Sequence, residues 1–459
     1  MNVIVLNGSP KGAKSVTLQY VAYIAKHFPA HTLKTIHISR RIRHLERDVA
    51  AFDAVMDEIR AADAILWATP VYHLLVPAGY KRFIELVFEK NAAAVFDGKP
   101  TAVLTTSIHF YDHTAHNYLH AICDDLAMRH VGCYSADMYD LLKAPERKRL
   151  AAFAALMFTE MASQRPAHRQ FPPLVWSGGT YAPGGQPHPV DPGGRRVLLI
   201  TDELSPATNL GRMIQRMRTC FSGGIETIDL SAEGPQGDCQ GCLRCADANI
   251  CVYQGHDAFM ELFRDRVMKA DILILAGTVT DRYLSARWKR FFDRSFFMGH
   301  VPALRGKQIG LLISGPLTQN ANLRQILEAY IEMQQAHLAG IATDAPTFSG
   351  AIDDQVDALA QRLVACAEHG FIGSSTFLGH SGRILFRDEI WGRLRFPFRA
   401  DCRTFRRLGG FDFPQRHWRS RLTNALLLFL SSFAPFRRHL QGRMTDEMIR
   451  PFRRYLKTR

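Results

Sequence analysis

Short apolar runs alternate with stretches of helical periodicity through most of the chain. The first run, Asn2-Val-Ile-Val-Leu-Asn7, lacks polar alternation, the pattern of a strand buried on both faces in a parallel sheet. Similar runs predict strands at 3–6, 33–38, 64–68, 101–105 and 134–138. Apolar residues spaced three and four apart predict helices near 16–27, 49–61, 78–89, 117–129 and 146–164. This alternation implies an α/β fold with an open, doubly wound parallel sheet. From Arg165 to Gly194 the periodicity gives way to Pro and Gly, as in a linker.

After the linker the pattern returns. Arg196-Val-Leu-Leu-Ile200 restates Asn2-Val-Ile-Val-Leu6, and Ala62-Asp63-Ala-Ile-Leu-Trp-Ala68 matches Ala270-Asp271-Ile-Leu-Ile-Leu-Ala276. Lys81-Arg82-Phe83 and Lys289-Arg290-Phe291 keep the same 208-residue offset, as do Gly98-Lys99 and Gly306-Lys307. A register held without a gap over that span means two copies of one domain. The expected organisation is 1–165, a linker at 166–194, a second copy at 195–370 and a tail at 371–459.

The copies differ where chemistry is expected. In the first, the strand breaks into Gly8-Ser9-Pro10-Lys11-Gly12-Ala-Lys-Ser15-Val-Thr17 before a helix. Small, hydroxylated and basic residues at a helix N-terminus suit a phosphate. Neither the Walker ending nor the Gly-x-Gly-x-x-Gly spacing is present, and the loop has the form that takes a phosphate monoester such as that of FMN. The second copy has Thr201-Asp202-Glu203 there, two acids that would repel phosphate unless turned outward. It carries instead Cys239, Cys242, Cys245 and Cys251, spaced Cx2Cx2Cx5C. That spacing suits a [4Fe–4S] loop, with a zinc site or unliganded thiols as alternatives. His113, His116 and His120 fall on one expected helix face, more in keeping with a polar rim than with a metal site.

Asn7-Gly8-Ser9-Pro10-Lys11 with Ser15 and Thr17, Ala62-Asp-Ala-Ile-Leu-Trp-Ala-Thr-Pro70-Val71-Tyr72 leading to Pro77, and Gly98-Lys-Pro before a strand together resemble the flavodoxin-like NAD(P)H-dependent FMN reductases, in tandem. The cysteine stretch resembles the compact motif of the group's iron–sulfur flavoproteins. The resemblance implies two tandem flavodoxin-like sheets of order 2-1-3-4-5, with FMN beyond the ends of strands 1 and 3. Gly8, Ser9, Pro10, Lys11, Ser15 and Thr17 would then hold the phosphate. Pro70, Val71, Tyr72 and His73 would line the ring edge, and Thr106, Ser107, His109 and Tyr111 would close the other side. Tyr72, His73, His109 and Tyr111 are the expected residues at the reacting ring. NAD(P)H would be the electron donor, and the two copies would pack as a pseudo-dimer within one chain.

Composition limits the rest. Nearly half the residues are hydrophobic, so the chain is globular, and nine cysteines without an apparent leader argue against a disulfide framework. Of the net charge of +14, residues 370–459 carry +13, from 19 Lys/Arg against 6 Asp/Glu. This basic, helical tail holds an apolar segment near 422–436 between arginines, too short to span a bilayer. It suits either packing on the body or peripheral contact with the inner face of a membrane, while no motif accompanies the charge that would point to nucleic acid. The expectation is a cytoplasmic FMN-dependent NAD(P)H oxidoreductase passing electrons to a quinone, small electrophile or protein, by way of a [4Fe–4S] cluster if the cysteines hold one. The alternative is a non-catalytic electron carrier or thiol redox sensor docked by the tail.

Overall fold

The computed structural model describes residues 1–163, 165–176, 178–452 and 455. The last position of the helix expected at 146–164, one linker position and the final residues of the tail lie outside the described residues. Ten strands form two five-stranded sheets. The first is ordered β2-β1-β3-β4-β5, with β1 Asn2–Asn7, β2 Thr32–His37, β3 Ala64–Pro70, β4 Pro100–Ser107 and β5 Arg129–Asp137. The second has the same order with β6 Val197–Thr201, β7 Glu226–Asp229, β8 Ile272–Thr278, β9 Gln308–Ser314 and β10 His337–Thr343. All pairings are parallel. Both sheets are therefore of the doubly wound, flavodoxin-like kind.

The 208-residue register of the sequence is a register of structure. β3 and β8 begin at Ala64 and Ile272, β4 and β9 at Pro100 and Gln308, and β5 and β10 at Arg129 and His337. Central strands read as unbroken apolar runs because helices cover both faces. Val3, Val5 and Leu66 face Tyr20, Ile24 and Met157 on one side of the first sheet. On its other side Ile4, Leu6 and Trp67 join a cluster that continues through Phe83, Trp288 and Phe291 into the second sheet's inner face, Leu198, Leu273 and Leu311. The two copies thus share one core, centred on the helices Ala78–Glu89 and Ala286–Arg294. Each buried Phe of this layer contributes about 2 kcal/mol.

Two elements differ from the sequence pattern. Ile38–Arg47 is a helix that the expected elements did not include; Ile38, Ile42 and Leu45 are its buried stripe, and Asp48 then caps the next helix by accepting from Ala51 N. The helix expected at 117–129 is Asp112–Asp125, because Ala127 takes a left-handed φ of 52° and returns the chain to β5. The first compact unit runs from Met1 to Cys402, past the 370/371 boundary expected from charge, and the second is Arg403–Arg459. In the second, Trp418–Ser431 and Ala434–Ile449 are helical. Among the described residues no helix is long and apolar enough to cross a membrane.

Candidate functional site

The loop after β1 is drawn tightly against β3. Gly8 N donates to Ala68 O at 2.8 Å, and a Cβ on Gly8 would lie 2.5 Å from Thr69 Oγ1, so only glycine fits. Asn7 braces the loop from its base: its Oδ1 accepts from Ser9 N at 3.0 Å and its Nδ2 meets His37 Nδ1 at 2.9 Å. Ser9 Oγ accepts from Lys11 N. Ser15 is the N-cap of Val16–His27, yet its buried side chain makes no capping bond. The helix start and the Ser15 hydroxyl are therefore left for another acceptor. That is the observation a phosphate monoester requires, and the first copy fits FMN.

Hydrogen bonds join this loop to the other expected segments. Thr17 Oγ1 and Thr106 Oγ1 are 2.6 Å apart, and Val71 N donates to Thr106 O at 3.1 Å. Tyr72 and Leu75 exchange backbone bonds in a tight turn, which places His73 at φ 39° and Leu74 at φ 66°. Beyond β4, His109 N donates to Ser107 Oγ, and His109 and Tyr111 also take positive φ. Thr114 Oγ1 lies within hydrogen-bond distance of both Leu74 O and Tyr111 O, pinning the two loops together. Four non-glycine residues in the left-handed region at one place are a concentration of strain that the surrounding bonds must hold. Gly8, Ser9, Pro10, Lys11, Ser15, Val71, Tyr72, His73, His109 and Tyr111 accordingly lie on the loops beyond the carboxyl ends of β1, β3 and β4, with Pro70, Thr106 and Ser107 at those strand ends and Thr17 in the first turn of the helix Val16–His27.

Three of these residues, Lys11, Tyr72 and His73, face the second copy. Gly241, between Cys239 and Cys242, packs so closely that a Cβ there would be 1.9 Å from Tyr72 Oη and 3.1 Å from Lys11 Cε. The cysteine segment of one copy thus meets the loops after β1 and β3 of the other. His73 stands edge-on to Phe296, with its Nε2 buried and unpartnered. Burial, with Lys289 and His300 nearby, holds its imidazole neutral. His109 is exposed and bonds to Asp112, while the buried Tyr111 donates its hydroxyl to Leu378 O.

The cysteines fit a cluster less well. Among the described residues no three of His, Cys, Asp or Glu converge as metal ligands. Burial pushes the Cys239 thiol up and the Cys245 thiol up to about 12. Cys245 and Cys251 stand near enough to Cys239, and Cys242 and Cys251 near enough to Cys245, to add to these upward shifts, although no three of them converge as ligands in this conformation. The histidines of 112–125 also disperse: His116 bonds to Thr105 and His120 stacks on His130.

Charged residues that sequence periodicity had marked only as a repeat hold the loops. Lys289, fully buried, donates to Tyr72 O at 2.8 Å and pairs with Asp293, whose Oδ2 accepts from Ala78 N. The contacts are reciprocal. Lys81 pairs with Glu85 and Asp281, and Glu85 Oε1 accepts from Ala286 N at 2.7 Å. Such an exchange of equivalent contacts is an isologous interface. Lys289 keeps one carboxylate where Lys81 keeps two. Burial lowers the Lys289 pKa, and it lifts Asp293 to about 6 against the pull of Lys289. Arg40, whose guanidinium lies beside Gly12, adds a cation that the unassigned helix had hidden.

The matching place in the second copy is a polar hollow of about 350 Å³, lined by Asn209, Arg212, Ser314, Asp344 and the linker residues Gly178 to Thr180, whose polar groups are largely bound to one another. Thr208 caps Asn209–Thr219 by accepting from Gly211 N. Asn209 donates to Gly179 O of the linker and to Asp344, and accepts from Tyr181 N. Asp344 is fully buried and accepts from Gly315 N and Ser314 Oγ. At the equivalent position the first copy has Ala136, which brings no charge. Asp202 turns to Ser285, and burial raises its pKa.

Comparison with known proteins agrees with this geometry. The model of the NADPH-dependent FMN reductase family matches residues 1–140 and again 196–343, over half of the chain, which belongs to that family. It is thus an NAD(P)H-dependent flavin oxidoreductase by family. Similar solved structures include an NADH:FMN oxidoreductase (EMOB) in its apo form, at 19% identity and TM-score 0.31, covering 37% of this chain and 93% of that one. An FMN-dependent NADH-azoreductase from Bacillus anthracis stands at 13% and 0.27, covering 34% and 98%. For an NADPH-quinone reductase from P. pentosaceus the values are 15% and 0.27, covering 35% and 96%. No curated protein matches the chain.

Proposed function

We propose that the chain is a one-flavin enzyme: the first copy binds FMN and turns over NAD(P)H with a quinone, small electrophile or protein as acceptor, while the second copy is its structural partner. The carrying observation is the Ser15 cap, left without a side-chain bond in the first copy, against the self-capped Thr208 and buried Asp344 in the second. FMN, when bound, takes a hydride from the nicotinamide and gives electrons to the acceptor. The chain's own residues need no acid or base for this. Ser9, Lys11, Ser15 and Thr17 would bind the phosphate, and Pro70–His73 with Thr106 and Ser107 would orient the ring. Lys289 and Asp293 would keep the Tyr72 turn in place from across the interface, so the two copies would stand in for a two-subunit assembly. A [4Fe–4S] cluster at Cys239, Cys242, Cys245 and Cys251 is supported by spacing alone, and no step is drawn through it.

The test is NAD(P)H oxidation by the purified, FMN-loaded chain with an added quinone, together with its visible spectrum. Turnover and flavin bands that are both lost in Ser15→Asp support the reading. Flavin retained in that variant, or no turnover with any quinone or azo acceptor, overturns it.

A further inference from the structure

The second compact unit displays a surface unlike any other in the molecule. Trp418–Ser431 is a helix with no buried residue. Trp418 and Leu422 are each 64% exposed, Leu428 71% and Phe429 64%, and Phe433 comes just beyond at 55%. Trp418, Leu422, Phe429 and Phe433 recur at helical spacing, and Leu426–Leu430 widens the stripe, while Ser420, Thr423, Asn424 and Ser431 fall on the opposite side. Single exposed apolar residues need no explanation, but a whole exposed apolar helix marks an interaction surface.

Charge decides what covers it. From Phe413 to Thr445 there are six arginines and no Asp or Glu. Arg419 and Arg421 stand at the helix start, with Arg437 and Arg438 just beyond its end, so the apolar helix is bracketed by cations. A helix of 14 residues is about 21 Å long, short of the ~30 Å hydrocarbon layer, and no helix among the described residues can cross. An apolar helix bracketed by arginines and too short to span is the form that lies in a bilayer interface, with the arginines at anionic headgroups and Trp418 at the polar boundary.

We propose that Trp418–Phe433 docks the protein on the surface of an anionic lipid membrane. An acidic protein groove would also meet the arginines, but it would have to take up the whole stripe of Trp, Leu and Phe from Trp418 to Phe433. A lipid interface does so without a shaped partner. Each arginine near such a surface adds roughly a fivefold gain in partitioning, screened by salt.

The test is co-sedimentation of the full chain with vesicles of phosphatidylcholine alone and of phosphatidylcholine with about one-third phosphatidylglycerol, alongside light scattering without lipid. The expected result is binding to the anionic vesicles at least ~10-fold stronger than to the neutral ones, weakened by salt. Arg419→Gln with Arg421→Gln should weaken it about 30-fold, and Leu428→Glu with Phe429→Glu should abolish it, with far-ultraviolet circular dichroism and flavin content unchanged. Three results would overturn the proposal. One is no binding to either vesicle. Another is equal binding to both that ignores the arginine changes. The third is a concentration-dependent dimer, dissolved by Phe429→Glu, in a protein that ignores vesicles, which would assign the helix to a second copy of the chain.

Discussion

The two copies keep the same sheet order and the same strand register, yet their phosphate loops have opposite fates. In the first, the helix-capping serine makes no side-chain capping bond and the loop is basic. In the second, Thr208 caps its helix through Gly211 N, Asn209 donates to Asp344, and linker backbone at Gly179 and Tyr181 is bound to Asn209 as well. On the proposed reading the duplicated fold keeps its scaffold in both copies and its ligand in one, because the scaffold depends on apolar runs and the ligand site on a handful of unpaired polar groups. What the second copy gives the first is half of the shared core, and Lys289 on the Tyr72 turn.

The largest effect should come from the interface. Lys81→Met takes the shared cation from the buried Glu85 and Asp281 carboxylates, leaving Glu85 to Arg82 and Asp281 without a cation among the described residues, and should cost about 3–5 kcal/mol of unfolding free energy in denaturant titrations. Lys289→Met should cost less, about 2 kcal/mol, since Asp293, already pushed up to about 6, can take a proton. Equal losses would refute the asymmetry between the copies. Next in size is the loop itself. Ser15→Asp should weaken FMN binding by ~100-fold or more through like-charge repulsion, whereas Ser205→Asp, in the second copy's loop, should change it less than about twofold. Isothermal titration decides between them.

A smaller effect concerns pH. Burial holds His130 down to about 3, with stacked His120 also lowered, while Leu338 fills the matching place in the second copy. The native state thus keeps His130 neutral where the unfolded chain protonates it near 6.5. Its contribution is complete above pH 6.5 and is lost as pH falls from 6.5 toward 3. At pH 5 that is about 1–2 kcal/mol, and His130→Asn should flatten the fall in thermal midpoint between pH 7 and 5. An unchanged slope would move the acid lability elsewhere.

Much of this architecture is written locally. The helices Val16–His27, Val49–Ala61 and Ala78–Glu89 were legible to the residue, since apolar spacing, Asp48 as a cap and Pro77 as a start are all near neighbours in sequence. Ile38–Arg47 was less visible because Arg40, Arg41 and Arg43 obscure its stripe of Ile38, Ile42 and Leu45. The phosphate loop could be read from seventeen residues. Its company could not: Lys289 lies 217 positions from Tyr72, and Asp344 135 from Asn209, separations at which no periodicity operates. The cysteine spacing was equally plain, but spacing does not say whether the thiols face a common centre or, as here, pack Gly241 against Tyr72.

The most direct measurement is the number of FMN molecules bound per chain at saturation, in the wild-type protein and in Ser15→Asp. One per chain, falling to none in the variant, is the predicted result. Two per chain, or one that survives Ser15→Asp, would contradict the division of labour between the copies.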